Sequence, residues 1–153
     1  LGGREQVNTA EATLAAPPAV VFAWITKPAK IKQWVEGITE IEPLTTSGHA
    51  VGAKSKIIIE EQGSRFEIRD EVTRSEPDRL VEVRMTSDMF DVTNLFELAD
   101  EQGKTHLKQT MQAHYKGLAR VFAPFVGGIV QQKLNEDFAR LKQLAESQQG
   151  EAK

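Results

Sequence analysis

Residues 117–145 read GLARVFAPFVGGIVQQKLNEDFARLKQLA, and the apolar spacing within them decides the fold. Leu118, Val121, Phe122, Phe125, Val126, Ile129, Val130, Leu134, Phe138, Leu141 and Ala145 recur at i, i+3, i+4 and i+7, the period of one helical face. Gln131, Lys133, Glu136, Asp137, Arg140 and Lys142 fall between them and are read as the solvated rear face. A helix this long and regular needs an apolar surface to lie on. Everything upstream of Gly117 is suited to supply a sheet.

Upstream, the period is two. Gln6 to Ala15 is read as a strand. Pro17 and Pro18 end it and open a helix, Ala19 to Thr26, because proline is tolerated in a first helical turn. Pro28 opens a second short helix, Pro28 to Val35, which Gly37 stops. Six further strands follow: Ile38–Thr45, Gly52–Glu61, Arg65–Arg74, Arg79–Ser87, Met89–Ala99 and Lys104–Tyr115. The turn signals at Gly63, Pro77-Asp78 and Gly103 lie close together along the chain, so the strands are expected to pair as an antiparallel meander. The fold class is therefore α+β: a seven-stranded curved antiparallel sheet, two short helices after the first strand, and a long C-terminal helix over the concave face. With 153 residues the chain is expected to be one domain, with residues 6–147 as its ordered core and 148–153 as a polar tail.

A wide sheet twists and coils, and one helix, roughly 10–12 Å across, does not fill the concavity. Large side chains, a second layer or a ligand must take up the remainder. Only 7% of residues are aromatic, which argues against filling by bulk alone. Alternation also sends polar residues inward: Asp70 between Ile68 and Val72, Asn94 between Val92 and Phe96, Gln109 between Leu107 and Met111, and Tyr115 beyond Ala113. An apolar pocket with a few converging polar groups is what a small-molecule site looks like. The alternative is that these groups pair with one another or meet solvent at strand ends. The expected lining is Ile57, Ile59, Phe66, Ile68, Asp70, Met85, Asn94, Phe96, Gln109 and Met111 from strands, with Phe122, Phe125, Val126, Ile129 and Val130 from the helix. Trp24 and Trp34 are read as core residues that seal the short helices. Pro124, Gly127 and Gly128 are read either as the true start of the helix or as a weak point that lets its end move.

Several classes are disfavoured. The net charge of −3 is mild and interspersed, with no basic stripe for nucleic acid. There is no cysteine, hence no disulfide or thiolate metal site, which suits a reducing, cytoplasmic setting; a cleaved leader upstream of Leu1 stays open. No apolar run is long enough for a transmembrane helix. His49, His106 and His114 are not spaced to converge, so neither metal nor other cofactor is expected. Oligomeric state, monomer or homodimer, is not legible.

The stretch from Pro17 through Thr26, with Pro28 through Trp34, Val51 to Lys54, and the closing Leu134 to Lys142, resembles the START-related, polyketide-cyclase-like superfamily. The resemblance covers most of the chain, and its motifs are fold signatures without chemistry of their own. It implies the helix-grip fold, with a pocket between sheet and C-terminal helix for a small hydrophobic molecule. It carries over no catalytic residue. Three readings follow: a binder of a lipid-like or polycyclic molecule; a cyclase- or dehydratase-like enzyme; and a cochaperone-like interaction module. For the enzyme, Asp70 is the candidate base, its pKa raised by desolvation, with Tyr115 or Gln109 polarising a carbonyl. Against that role, Asp70 has possible partners in Arg69 and Arg84.

Overall fold

The computed structural model describes residues 5–149, except the side chains of residues 122–125 and 148–149. Strand β1 (Glu5–Leu14) leads to helices α1 (Pro18–Thr26) and α2 (Pro28–Trp34). Strands β2 (Ile38–Pro43), β3 (Lys54–Glu61), β4 (Ser64–Glu76), β5 (Leu80–Thr86), β6 (Phe90–Glu101) and β7 (Lys104–Tyr115) follow, and α3 (Ala119–Gln149) closes the chain. All neighbours are antiparallel, in the order β1-β7-β6-β5-β4-β3-β2. The meander runs from β2 to β7, and β1 returns to pair with β7 at the far edge.

Local chemistry explains the turns. The β3–β4 loop is Gln62-Gly63 with φ of 50° and 82°, and the β6–β7 loop is Gln102-Gly103 with φ of 59° and 88°. Both two-residue loops hold positive φ at both positions, the twist that matches adjoining antiparallel strands, with glycine second. One extra residue, Thr73, interrupts the β4–β5 register between Val72 and Arg74, a bulge that bends the long β4 strand.

Even-numbered residues of β1 face the helix side, and the registers carry that side across the sheet: Ala10 opposite Gln109, Gln109 opposite Phe96, Phe96 opposite Val81. One end of this concave face is filled. Leu14, Val81, Phe96, Leu98 and Leu107 pack there with Val21, Trp24 and Trp34 of the short helices and Leu134, Phe138, Leu141 and Ala145 of α3. Trp24 and Trp34 are 1% and 3% exposed and belong to this core. The Trp34 indole donates from Nε1 to the Trp24 carbonyl at 2.9 Å and stands edge-on to Phe96 and Phe138.

The rear face of α3 differs from expectation at two residues. Asp137 is buried. Its carboxylate accepts from Lys133 at 2.7 Å, from Arg140 at 2.8 Å and from the Glu36 backbone N–H at 3.4 Å. Arg140 also donates from Nε to the Trp34 carbonyl at 3.2 Å, so the pair ties α3 to the end of α2. Gln131 is half-buried against β1, donating to the Thr9 carbonyl at 2.7 Å. An Asp137→Asn chain should lose about 1–2 kcal/mol, because both cations are partly solvated and the amide keeps one acceptor. Urea unfolding measures this.

Candidate functional site

The filled core occupies the half of the concave face nearest the β6–β7 turn. Toward the β5–β6 turn, Ile57, Ile68, Val92 and Ala113 are buried without joining that core. From this second half to the margin of the core the strand registers line up a polar row. Asp70 on β4 lies opposite Met85 on β5, and Met85 lies opposite Val92 on β6, two residues from Asn94. Asn94 donates from Nδ2 to the Met85 sulfur at 3.6 Å and accepts at Oδ1 from Gln109 Nε2 at 2.8 Å. Both amide side chains are buried, at 7% and 6% exposed. Gln109 Oε1 is left with no partner among the described residues. A buried acceptor without a donor costs about 1–3 kcal/mol, so this oxygen is set for a donor the protein does not supply.

Asp70 is half-buried on the same face. Burial pushes its carboxyl up from 3.8 to about 6, against the pull of hydrogen bonds from the Ser55 backbone and hydroxyl across the β3–β4 pair. Neither anticipated cation reaches it. Arg69 pairs with Glu67 at 3.1 Å on the outer face, and Arg84 is exposed. Tyr115, at the end of β7, donates its hydroxyl to Gln6 Oε1 at 3.1 Å, and burial raises its pKa.

The scan against family models matches residues 6–146 to the family described as polyketide cyclase/dehydrase and lipid transport. The chain belongs to this family. Among curated proteins no sequence match of significance is found. Solved structures share the architecture at low identity. Ara h 8.0201 superposes with a TM-score of 0.74 at 19% identity, covering 94% of this chain and 99% of its own. A protein of unknown function from Staphylococcus aureus gives 0.77 at 14%, covering 97% and 98%. A norcoclaurine synthase point mutant from Thalictrum flavum, in complex with a transition-state analogue, gives 0.68 at 12%, covering 97% and 99%. These likenesses establish the helix-grip, Bet v1-like fold. Membership of the polyketide cyclase/dehydrase and lipid transport family supports hydrophobic ligand binding in general and specifies no ligand.

Within that frame, the strand residues expected to line the site share one face. Ile57 pairs with Ile68 and Ile59 with Phe66 across β3–β4; Met85, Asn94, Phe96, Gln109 and Met111 continue it. Phe66 stands at the rim, 37% exposed. The helix contributes differently than expected. Val126 and Val130 are half-buried, but Ile129 is 69% exposed, and Leu118 and Val121 are exposed with it. The side chains of Phe122 and Phe125 lie outside the described residues. At about 100° per residue, Ile129 falls on the opposite side of α3 from Leu134, Phe138 and Leu141, so the apolar series is two stripes and not one. Ile129 is therefore removed from the lining.

Helix α3 runs unbroken through Pro124, Gly127 and Gly128, starting at Ala119. The two glycines differ. Asn8 donates from Nδ2 to the Gly127 carbonyl at 3.2 Å and to Gln131 Oε1 at 3.0 Å, and a Cβ on Gly127 would run into the Gln6 side chain. Gly128 has no atom within 4 Å of such a Cβ. Gly127 thus lets α3 approach β1 beside the Gln6–Tyr115 bond. Gly128→Ala should stabilise by up to about 1 kcal/mol through helix propensity. In Gly127→Ala that gain should be offset by about 1 kcal/mol as Gln6 is displaced from Tyr115, leaving stability unchanged within about 0.5 kcal/mol. Thermal or urea unfolding separates the two.

Sequence reasoning missed Asn8 and Gln131, which close the seam between β1 and α3; for Asn8 the available signal was its place on the same β1 face as Ala10 and Ala12. In the β5–β6 turn the Ser87 hydroxyl accepts from the backbone N–H groups of Met89 and Phe90 at 3.2 Å each. His49 stands edge-on to Phe22 and shares a hydrogen bond with Ser75, and His106 pairs with Glu11. No group of three or more potential metal ligands occurs among the described residues, and no described helix is long and apolar enough to cross a membrane.

Proposed function

We propose that this chain binds a lipid-like or polycyclic small molecule between the concave face of the sheet and α3. The observation that carries this reading is the unpartnered, buried Gln109 Oε1 at the margin of the main core, between Ala10 and Phe96 and beside the half of the concave face whose buried residues stand outside that core. Apolar neighbours, Ile57, Ile68, Val92 and Ala113, would supply affinity at roughly 25 cal/mol per Å² of guest surface buried. The few polar groups would set orientation. Extraction of the purified protein into organic solvent, followed by mass spectrometry, should release a stoichiometric apolar compound. A preparation that releases none and takes up no apolar dye contradicts the reading.

A second reading is favoured by Asp70. A carboxyl titrating at about 6 is matched to general-base work near neutral pH, and the same face would hold a cyclic substrate above it. On this reading Asp70→Asn removes turnover of a polyketide-like substrate while its binding persists. Equal turnover in both chains rejects Asp70 as the base.

A further inference from the structure

The buried amides of the concave face leave one atom unpaired. Gln109 donates one amide hydrogen to Asn94, and Asn94 donates one to the Met85 sulfur, so the atom of this buried row left without a partner is an acceptor, Gln109 Oε1. Asp70, on β4 and three strands from Gln109, adds a second acceptor to the same face, and the Tyr115 hydroxyl hydrogen is already taken by Gln6. No Lys, Arg or His occupies an inward strand position among the described residues. A guest carboxylate at this position would enter a low-dielectric space facing an acceptor oxygen with no cation to meet it, whereas a hydroxyl or amino group would satisfy an oxygen that otherwise stays unpaired.

We propose that the guest is an apolar molecule carrying a hydroxyl or amino donor, held by that donor on Gln109 Oε1, and that apolar carboxylates bind worse because this face offers them no cation. This rests on the binding reading above and deepens it by naming the chemical class.

Displacement of the neutral dye Nile red at pH 7.5 by naphthalene, 2-naphthol and 2-naphthoate tests it. The three differ in one substituent. 2-Naphthol should displace the dye at about tenfold lower concentration than naphthalene, and 2-naphthoate should need about tenfold more than naphthalene. Gln109→Met should bring 2-naphthol back to the naphthalene value. If Nile red is not taken up at all, the binding reading fails. If it is taken up and 2-naphthoate equals or outperforms 2-naphthol, the donor-class inference is overturned while binding stands. Naphthalene displacement reports whether the variant is folded, and the ranking in the parent chain decides the question even where the variant does not fold.

Discussion

A Trp34→Ala chain should unfold at about 3–5 kcal/mol less cost than the parent, the largest stability effect of any single substitution considered. The indole is 3% exposed and joins three elements: α2, which carries it, β6 through Phe96, and α3 through Phe138. Its removal leaves a cavity at their junction and strips the Trp24 carbonyl of its donor. Trp34→Phe keeps most of the ring packing and loses only the hydrogen bond, so it should cost about 1–2 kcal/mol. Denaturant titration of both variants gives the two values. A loss below about 1 kcal/mol in the alanine variant would mean that this end of the concavity is not a packed core, and the division of the face into a filled half and a guest half would fail.

Asp70→Asn should act in the other direction. The carboxyl titrates near 3.8 when unfolded and at about 6 when folded, so folding takes up a proton between those values. The favourable contribution is full below about 3.8 and is lost as pH rises through about 6. Above that, the folded chain carries a desolvated carboxylate. The upper bound is about 3 kcal/mol for two pKa units, and partial solvation of Asp70 reduces it to about 1–2 kcal/mol. At pH 7.5 the asparagine variant should therefore be more stable than the parent by about 1–2 kcal/mol, and the gap should close as pH falls to about 4. Urea unfolding of both chains from pH 4 to 8 reads this difference, in which the other carboxylates cancel. A gap of constant size, or a less stable variant at pH 7.5, would show that the carboxylate is not desolvated. A residue that lowers stability in its working state is expected at a functional site.

The sheet was legible because its alternation is clean. Asp70, Asn94 and Gln109 fall inward as their neighbours Ile68, Phe96 and Leu107 require; the bulge at Thr73 lies beyond Asp70 along β4, and the other register shift, between Ile38 and Glu40, lies in β2, so neither inverts them. Their partners were not legible. That Asn94 spends its donor on a methionine sulfur, leaving Gln109 with a free oxygen, depends on side chains meeting diagonally across β5, β6 and β7. The helix misled for a different reason. Its N-terminal stripe of Leu118, Val121 and Ile129 and its C-terminal stripe of Leu134, Phe138 and Leu141 each satisfy i, i+3, i+4 spacing, and they run together in sequence although they face opposite ways. That exposed stripe is an apolar surface of the kind the interaction-module reading requires. Asp137 reads as solvated from its position on the helix; only the end of α2, with the Glu36 N–H and the Trp34 carbonyl, makes a buried carboxylate useful there.

The central claim is most directly tested by methyl NMR of the isotope-labelled protein titrated with 2-naphthol. Saturable shifts should appear at the methyls of Ile57, Ile68, Val92 and Ala113, while Leu141 and Ala145 in the packed half stay in place. Shifts confined to Leu118, Val121 and Ile129 on the outer side of α3, or no saturable shift anywhere, would contradict it.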